Sequence, residues 1–189
     1  MAIRLIDAEI PLPEEMGIPE PVAELYQKER GLVLVTGPSG SGRSTTLSSI
    51  INQVNDSRES LVITLESPVE YLHPYKRSII NQREIGLDSM DYADAIHAAV
   101  RQDADVIVVG ELRDARSVDA AVSAAETGHL VFAVMDAASA VDAIEDILDM
   151  FPAHRQDRMR VRLAGALEAV LFQQLHPAAD GDGREAAFE

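Results

Sequence analysis

Hydrophobic positions follow two rhythms along this chain. Apolar-rich runs at residues 32–35, 61–65, 105–111 and 129–135 read as strands buried on both faces, as in the middle of a parallel sheet. Between them, apolar residues recur every three or four positions, the spacing of helices with one buried face. Residues 92–102 are helical by this spacing, with Ala93, Ile96, Ala99 and Val100 on one side. A helix starts at Ser117 and ends at Thr127 and Gly128, and another is capped by Ser139, runs to about Met150 and is broken by Pro152. Residues 155–174 form the longest helix, with Met159, Leu163, Leu167 and Leu171 on a stripe that is core or a subunit contact. Strands alternating with helices mean an α/β fold, a parallel sheet wrapped by helices through right-handed crossovers.

The remaining segments are punctuated by turn formers. Residues 1–21 hold Pro11, Pro13, Pro19 and Pro21 and read as an extended linker, in which AIRLIDAEI adds an edge strand. A short helix over 22–30 stops at Gly31, and a helix over 45–55 stops at Asn55, Asp56 and Ser57. Residues 66–89, with Pro68, Pro74 and Gly86, read as a long loop, and long ordered loops in compact domains are usually functional. The tail reads as a hairpin turning at Gly181, Asp182 and Gly183.

Composition narrows the class. A chain of 189 residues with 47% hydrophobic residues suits one folded domain. The absence of cysteine excludes disulfides and thiolate metal sites. No apolar run is long enough for a bilayer, and Asp7 and Glu9 interrupt any secretory leader, so a cytoplasmic protein without membrane insertion is expected. The net charge of −16 argues against nucleic acid as a partner. Asp142, Glu145, Asp146 and Asp149 read as a solvated helix face, with a docking surface for a basic partner as the alternative.

The chemistry begins where the first strand breaks. LVLVTGPSGSGRSTT, residues 32–46, fits the phosphate-binding P-loop pattern except that Arg43 stands at the lysine position. Gly37, Gly40 and Gly42 permit a tight turn, and the backbone from Gly37 through Ser39, Ser41, Ser44 and Thr45 aims its N–H groups inward at the start of a helix. Ser44 is placed to offer its hydroxyl to Mg²⁺. Glu111, at the carboxyl end of the third strand, is the best carboxylate for metal binding or catalysis; its structural alternative is a pair with Arg113. Glu66 and Glu70 flank Pro68 at the same sheet edge, as metal or water ligands or as loop charges meeting Arg77 or Arg83. His129 opens a strand and reads as a hydrogen-bonded structural residue or a phosphate sensor. His73, His97, His154 and His176 show no metal-ligand spacing.

Taken in order, the P-loop, TLESPVEYLH, INQREIG, DVIVVGELRD, AAETGHLVF and DMFPAHRQDRMR resemble the motor domain of type IV pilus retraction ATPases, within the type II/IV secretion ATPase family. The likeness runs over nearly the whole chain, from residue 3 to 187. It implies a RecA-like P-loop NTPase core at residues 22–189, ATP and Mg²⁺ as cofactors, and a hexameric ring at the cytoplasmic base of the pilus, beside an inner-membrane platform protein. It also implies that the family's N-terminal domain and C-terminal helical tail are lacking. The family's P-loop lysine falls on Arg43, its acidic box on Glu66, Ser67, Pro68 and Glu70, and its Walker B glycine and glutamate on Gly110 and Glu111. The first histidine of its histidine box falls on His129, the second on Asp136, and the following Thr-Asn on Ala137 and Ala138. Asp136 would repel a γ-phosphate, and loss of arginines supplied in trans removes about 10³-fold or more in rate. The expectation is an ATP-binding domain whose hydrolysis is weak or lost. The alternative is a non-catalytic interaction protein that joins or regulates rings of a complete motor.

Overall fold

The computed structural model describes residues 9–178 and 183–189. Six helices and seven strands follow in the order α1 (Glu20–Ala23), β1 (Gly31–Thr36), α2 (Arg43–Ser57), β2 (Leu61–Glu66), β3 (Ile79–Glu84), α3 (Tyr92–Arg101), β4 (Val106–Val109), α4 (Ala115–Glu126), β5 (Leu130–Met135), α5 (Ala140–Asp149), α6 (Ala153–Ala166), β6 (Leu167–Pro177) and β7 (Arg184–Phe188). The strands form one sheet ordered β3-β2-β4-β5-β1-β6-β7. Every pairing is parallel except the last, where β7 runs antiparallel to β6.

Alternation along the central strands divides the core in two. Leu32 and Leu34 of β1, Ile107 and Val109 of β4, and Val131 and Ala133 of β5 face α3, α4 and α6. Val33 and Val35, Val106 and Val108, and Leu130 and Phe132 face the other way, onto α2 and the turn carrying Leu25. Because both faces are covered, these strands are apolar throughout, and that is why the sequence displays them so plainly.

Two strands depart from the sequence expectation. β3 lies inside the stretch read as loop, pairing with β2 from Leu61↔Ile79 to Glu66↔Glu84. It is an edge strand with Ile80 buried and Ile79 exposed, so IINQRE carries little of a strand's apolar signature. The stretch read as one helix over 155–174 is α6 followed directly by β6. Met159 and Leu163 are buried on the helix as the stripe demands, but Val170, Leu171 and Phe172 are drawn into the sheet beside β1. Pairing with a central strand overrides the helical period there.

Smaller differences follow local geometry. The first helix is one α turn that tightens into a 3₁₀ turn at Glu24–Gln27, and Gly31 opens β1 instead of ending the helix. Gly31 has φ +115°, and a Cβ there would lie 2.3 Å from Glu168 Cγ. α4 begins before Ser117, under a reciprocal cap between Asp114 and Ser117. Ser139 caps α5 as expected, accepting from the Asp142 amide at 3.0 Å. The described part of the N-terminal segment is bound to the domain, with Ser49 Oγ donating to the Pro11 carbonyl at 2.7 Å. The edge strand expected from AIRLIDAEI lies almost wholly outside the described residues, as do two of the three residues of the expected hairpin turn; β6 and β7 pair as that hairpin requires. Among the described residues, no helix is long and apolar enough to cross a membrane.

Arg162 clamps α6 onto α4. Its guanidinium donates to both Glu126 oxygens (2.8 to 3.1 Å) and to Ser123 Oγ (2.7 Å), and pairs with Asp119. Replacing it by methionine keeps the stem but strands these acceptors, which should lower unfolding stability by about 2 kcal/mol. Urea denaturation would register this as a lower midpoint at constant slope; an unchanged midpoint would mean that water replaces the fork without cost.

Candidate functional site

The turn after β1 is built from backbone that only glycine adopts freely. Gly37, Gly40 and Gly42 have φ of +142°, +78° and +89°, and α2 starts immediately afterwards with no side-chain cap on its first amides. Two of these glycines are also wedged against β6. A Cβ on Gly37 would stand 2.2 Å from the Gln173 carbonyl oxygen, and one on Gly42 would stand 2.9 Å from Gln173 Nε2. Gln173, 1% exposed, donates from Nε2 to the Ser41 carbonyl (2.8 Å) and accepts at Oε1 from Thr46 Oγ1 (2.7 Å). One buried amide therefore holds both limbs of the loop. Tyr71, on the connection between β2 and β3, meets Thr45 Oγ1 at 3.0 Å and steadies the helix start from the other side.

The loop opens on a solvent-connected cleft of about 610 Å³, lined among others by Ser39, Ser44, Glu70, Glu111, Asp136 and Arg184. A second, smaller cavity of about 80 Å³ continues it past Ser44 toward Glu66, His73 and Tyr92. The P-loop residues and the three expected carboxylates are thus brought to one place. Glu66 accepts from Thr64 Oγ1 (2.6 Å), Gln82 Nε2 (3.1 Å) and the Glu70 amide (3.4 Å). The arginines named as its alternative partners are engaged elsewhere, Arg77 with Glu59 and Arg83 with Gln102. Glu111 stands just beyond β4 and pairs with Arg113, so its structural alternative is realised inside the cleft. Gly110 precedes it because a Cβ there would lie 2.9 Å from the Leu65 carbonyl oxygen. Burial, then the Glu111 charge, pushes the Tyr92 phenol up to about 12, so it is a neutral donor at the cleft wall. Burial, then Lys76, pushes His73 down to about 4, so its imidazole is neutral there.

Two expectations are corrected by the geometry. Arg43 does not point at the loop's anion site alone: its Nη1 donates to the Met135 carbonyl (2.8 Å) and pairs with Asp136, at the carboxyl end of β5. The repulsive carboxylate and the misplaced guanidinium therefore neutralise each other. His129 lies at the opposite end of β5, roughly 20 Å away at about 3.3 Å per strand residue. Its Nδ1 is 3.0 Å from the Ala124 carbonyl and 3.3 Å from Thr127 Oγ1, which fits the structural reading and not a catalytic one.

The residues fit a nucleotide phosphate. The Ser41 hydroxyl is buried in the loop without a partner among the described residues, and open space faces Gly40. For a metal, no group of three or more His, Asp or Glu among the described residues is placed to hold one unaided. Mg²⁺ takes one or two protein oxygens and fills its remaining positions with phosphate and water, and the Ser44 hydroxyl and Glu111 line the cleft as oxygens of that kind. Sequence reasoning missed Gln173, Tyr71 and Arg184. Gln173 was hidden inside an expected helix, and Arg184 carries no local signal of its own.

Known proteins agree with this architecture. A family model described as "Type II/IV secretion system protein" matches residues 16–188. The chain is 46% identical over its whole length to the uncharacterized protein YggR of Escherichia coli, covering 58% of that protein. It is 40% identical over 186 residues to the type IV pilus retraction ATPase PilT of Pseudomonas aeruginosa, covering 98% of this chain and 54% of PilT. A crystal structure of the pilus retraction motor PilT with bound ADP superposes with a TM-score of 0.94 at 46% identity, over 98% of this chain and 54% of that one. The ATPase DotB of Legionella pneumophila superposes at 0.93 with 29% identity, over 98% and 52%. The chain spans about half the length of these relatives. It belongs to the type II/IV secretion system protein family, and within it is similar to the pilus-retraction ATPases.

Proposed function

We propose that this domain binds ATP with Mg²⁺ in the P-loop and hydrolyses it slowly or not at all. Binding is supported by the glycine-shaped loop, the Ser41 hydroxyl left without a partner among the described residues, and the open start of α2. Ser44 and Glu111 would hold Mg²⁺, which would supply positive charge to offset that of the phosphates. The protein's own part is to hold the loop through Gln173, to present Ser44, and to line the reacting end with Glu66, Glu70 and Glu111.

The observation that carries slow turnover is the Arg43 clasp. The guanidinium at the lysine position is spent on Met135 and Asp136, and Glu111 is likewise held by Arg113. Catalysis of phosphoryl transfer depends on charges already aimed at the transferring group, and here Arg43 and Glu111 are each held by another side chain. By analogy with its relatives, the domain would work in a ring at the cytoplasmic face of a pilus or secretion platform. A member that holds nucleotide without turning it over suits a regulatory place in such a ring, and the same clasp favours that second reading.

Fluorescent ATP titrated with and without Mg²⁺, followed by a turnover assay, tests the proposal. Saturable Mg²⁺-dependent binding with turnover far below about 1 s⁻¹ is expected. The double replacement Arg43→Lys with Asp136→His should raise turnover on the order of 10- to 100-fold. Wild-type turnover at an ordinary enzymatic rate would overturn the slow-hydrolysis part. Separately, Gln173→Leu should weaken ATP binding at least tenfold and cost about 1–3 kcal/mol of unfolding stability, since it strands the Ser41 carbonyl and the Thr46 hydroxyl. Unchanged affinity in that variant would show that the loop holds its shape without β6.

A further inference from the structure

A polyphosphate entering this cleft approaches a protein of net charge −16, so which cation meets it decides whether it stays. Three arginines line the cleft, Arg43, Arg113 and Arg184. Arg43 is clasped by Asp136 and the Met135 carbonyl, with its side chain only 12% exposed. Arg113 is paired with Glu111. Arg184 is exposed, and it has no carboxylate partner among the described residues.

Its position follows from the sheet. Arg184 is the first residue of β7 and stands opposite Pro177 in the antiparallel pair with β6. β6 is the strand whose Gln173 grips the P-loop, and its Leu175 lies 3.7 Å from where a Cβ on Gly42 would be. The β6–β7 pair is therefore docked on the phosphate loop itself, and the first residue of β7 overlooks the cleft. A charge on an edge strand also serves to discourage sheet-to-sheet association, but that role needs no place beside Ser39 and Gly40.

We propose that Arg184, and not Arg43, is the cation that meets the bound polyphosphate. The assignment rests on the nucleotide-binding reading and deepens it. With Arg43 fixed as a brace between α2 and β5, the charge function of the P-loop lysine passes to a side chain from the other end of the chain. Guanidinium suits that task, since it can hold two phosphate oxygens at once from outside the loop, where a compact ammonium inside the loop holds one.

The test uses the full chain, a fluorescent ADP or ATP probe, and inorganic tripolyphosphate as competitor. Arg184→Ala should weaken ATP binding tenfold or more, flatten its salt dependence and abolish competition by tripolyphosphate. Arg184→Lys should recover part of the loss, and Arg43→Ala should cost less than threefold. Because Arg184 is exposed, its variants should melt like the wild type; Asp136→Asn frees Arg43 from the clasp without touching the loop and should tighten binding. Wild-type affinity in Arg184→Ala, or equal losses at positions 43 and 184, would overturn the assignment and leave nucleotide binding intact. Failure of the wild type to bind any probe would instead bring down the nucleotide reading, and Arg184 with it.

Discussion

The contact on which the site depends is the seating of the P-loop against β6. A loop with left-handed glycines has few hydrogen bonds of its own, and its carbonyls must be satisfied by something rigid. Gln173 does this from a fully buried position, with one end on the Ser41 carbonyl and the other on the Thr46 hydroxyl. It can reach both because β6 lies directly beside β1, with Val35↔Leu171 and Thr36↔Phe172 in register and Thr36 Oγ1 donating to the Leu171 carbonyl. The loop's shape is thus set by sheet order as much as by its own glycines. Removing the Gly37 or Gly42 hydrogen in favour of a side chain would collide with β6 before it reached any phosphate.

This dependence explains what was legible in the sequence. The four strands buried on both faces advertise themselves, because they are almost wholly apolar, and the P-loop does so because its glycines are needed at fixed spacing. Partnerships across the sheet are silent. β3 has one buried face and reads as polar loop; β6 continues the apolar stripe of α6, so helix and strand share one run of hydrophobic residues without a glycine or proline at Leu167. Gln173 meets the P-loop because of where β6 lies, and Arg184 lines the cleft because β7 pairs with β6. The two readings of His129 are separated by the same geometry. In a parallel sheet the residue before a strand and the residue after it sit at opposite edges, so Asp136 reaches the cleft and His129 does not.

The clasp also bears on how a loop with the wrong cation keeps its form. An arginine at the first position of α2 has a longer reach than lysine and a planar head that seeks paired acceptors. Met135 and Asp136 supply a carbonyl and a carboxylate at the end of β5, the strand next to β1. With Asp136 mostly exposed, the ion pair itself contributes little stability. Its effect is positional: the guanidinium is drawn off the centre of the anion nest, and the nest keeps its backbone donors.

Set beside the family pattern, the charge changes form a consistent set. Where the resembling motors carry an acid after Glu66 this chain has Ser67, and where they carry the second histidine it has Asp136. One negative charge has in effect moved from the β2 edge of the cleft, where a water or metal would be polarised, to the β5 edge, where it answers Arg43. Random decay would be expected to leave an orphaned guanidinium in a half-buried loop, a costly arrangement. Instead the new cation has a new anion, the glycines remain, and Ser44 and Glu111 keep their places. Such a pattern accords with the proposed reading, in which the loop keeps a receptacle for nucleotide while the charges beside it are paired with one another.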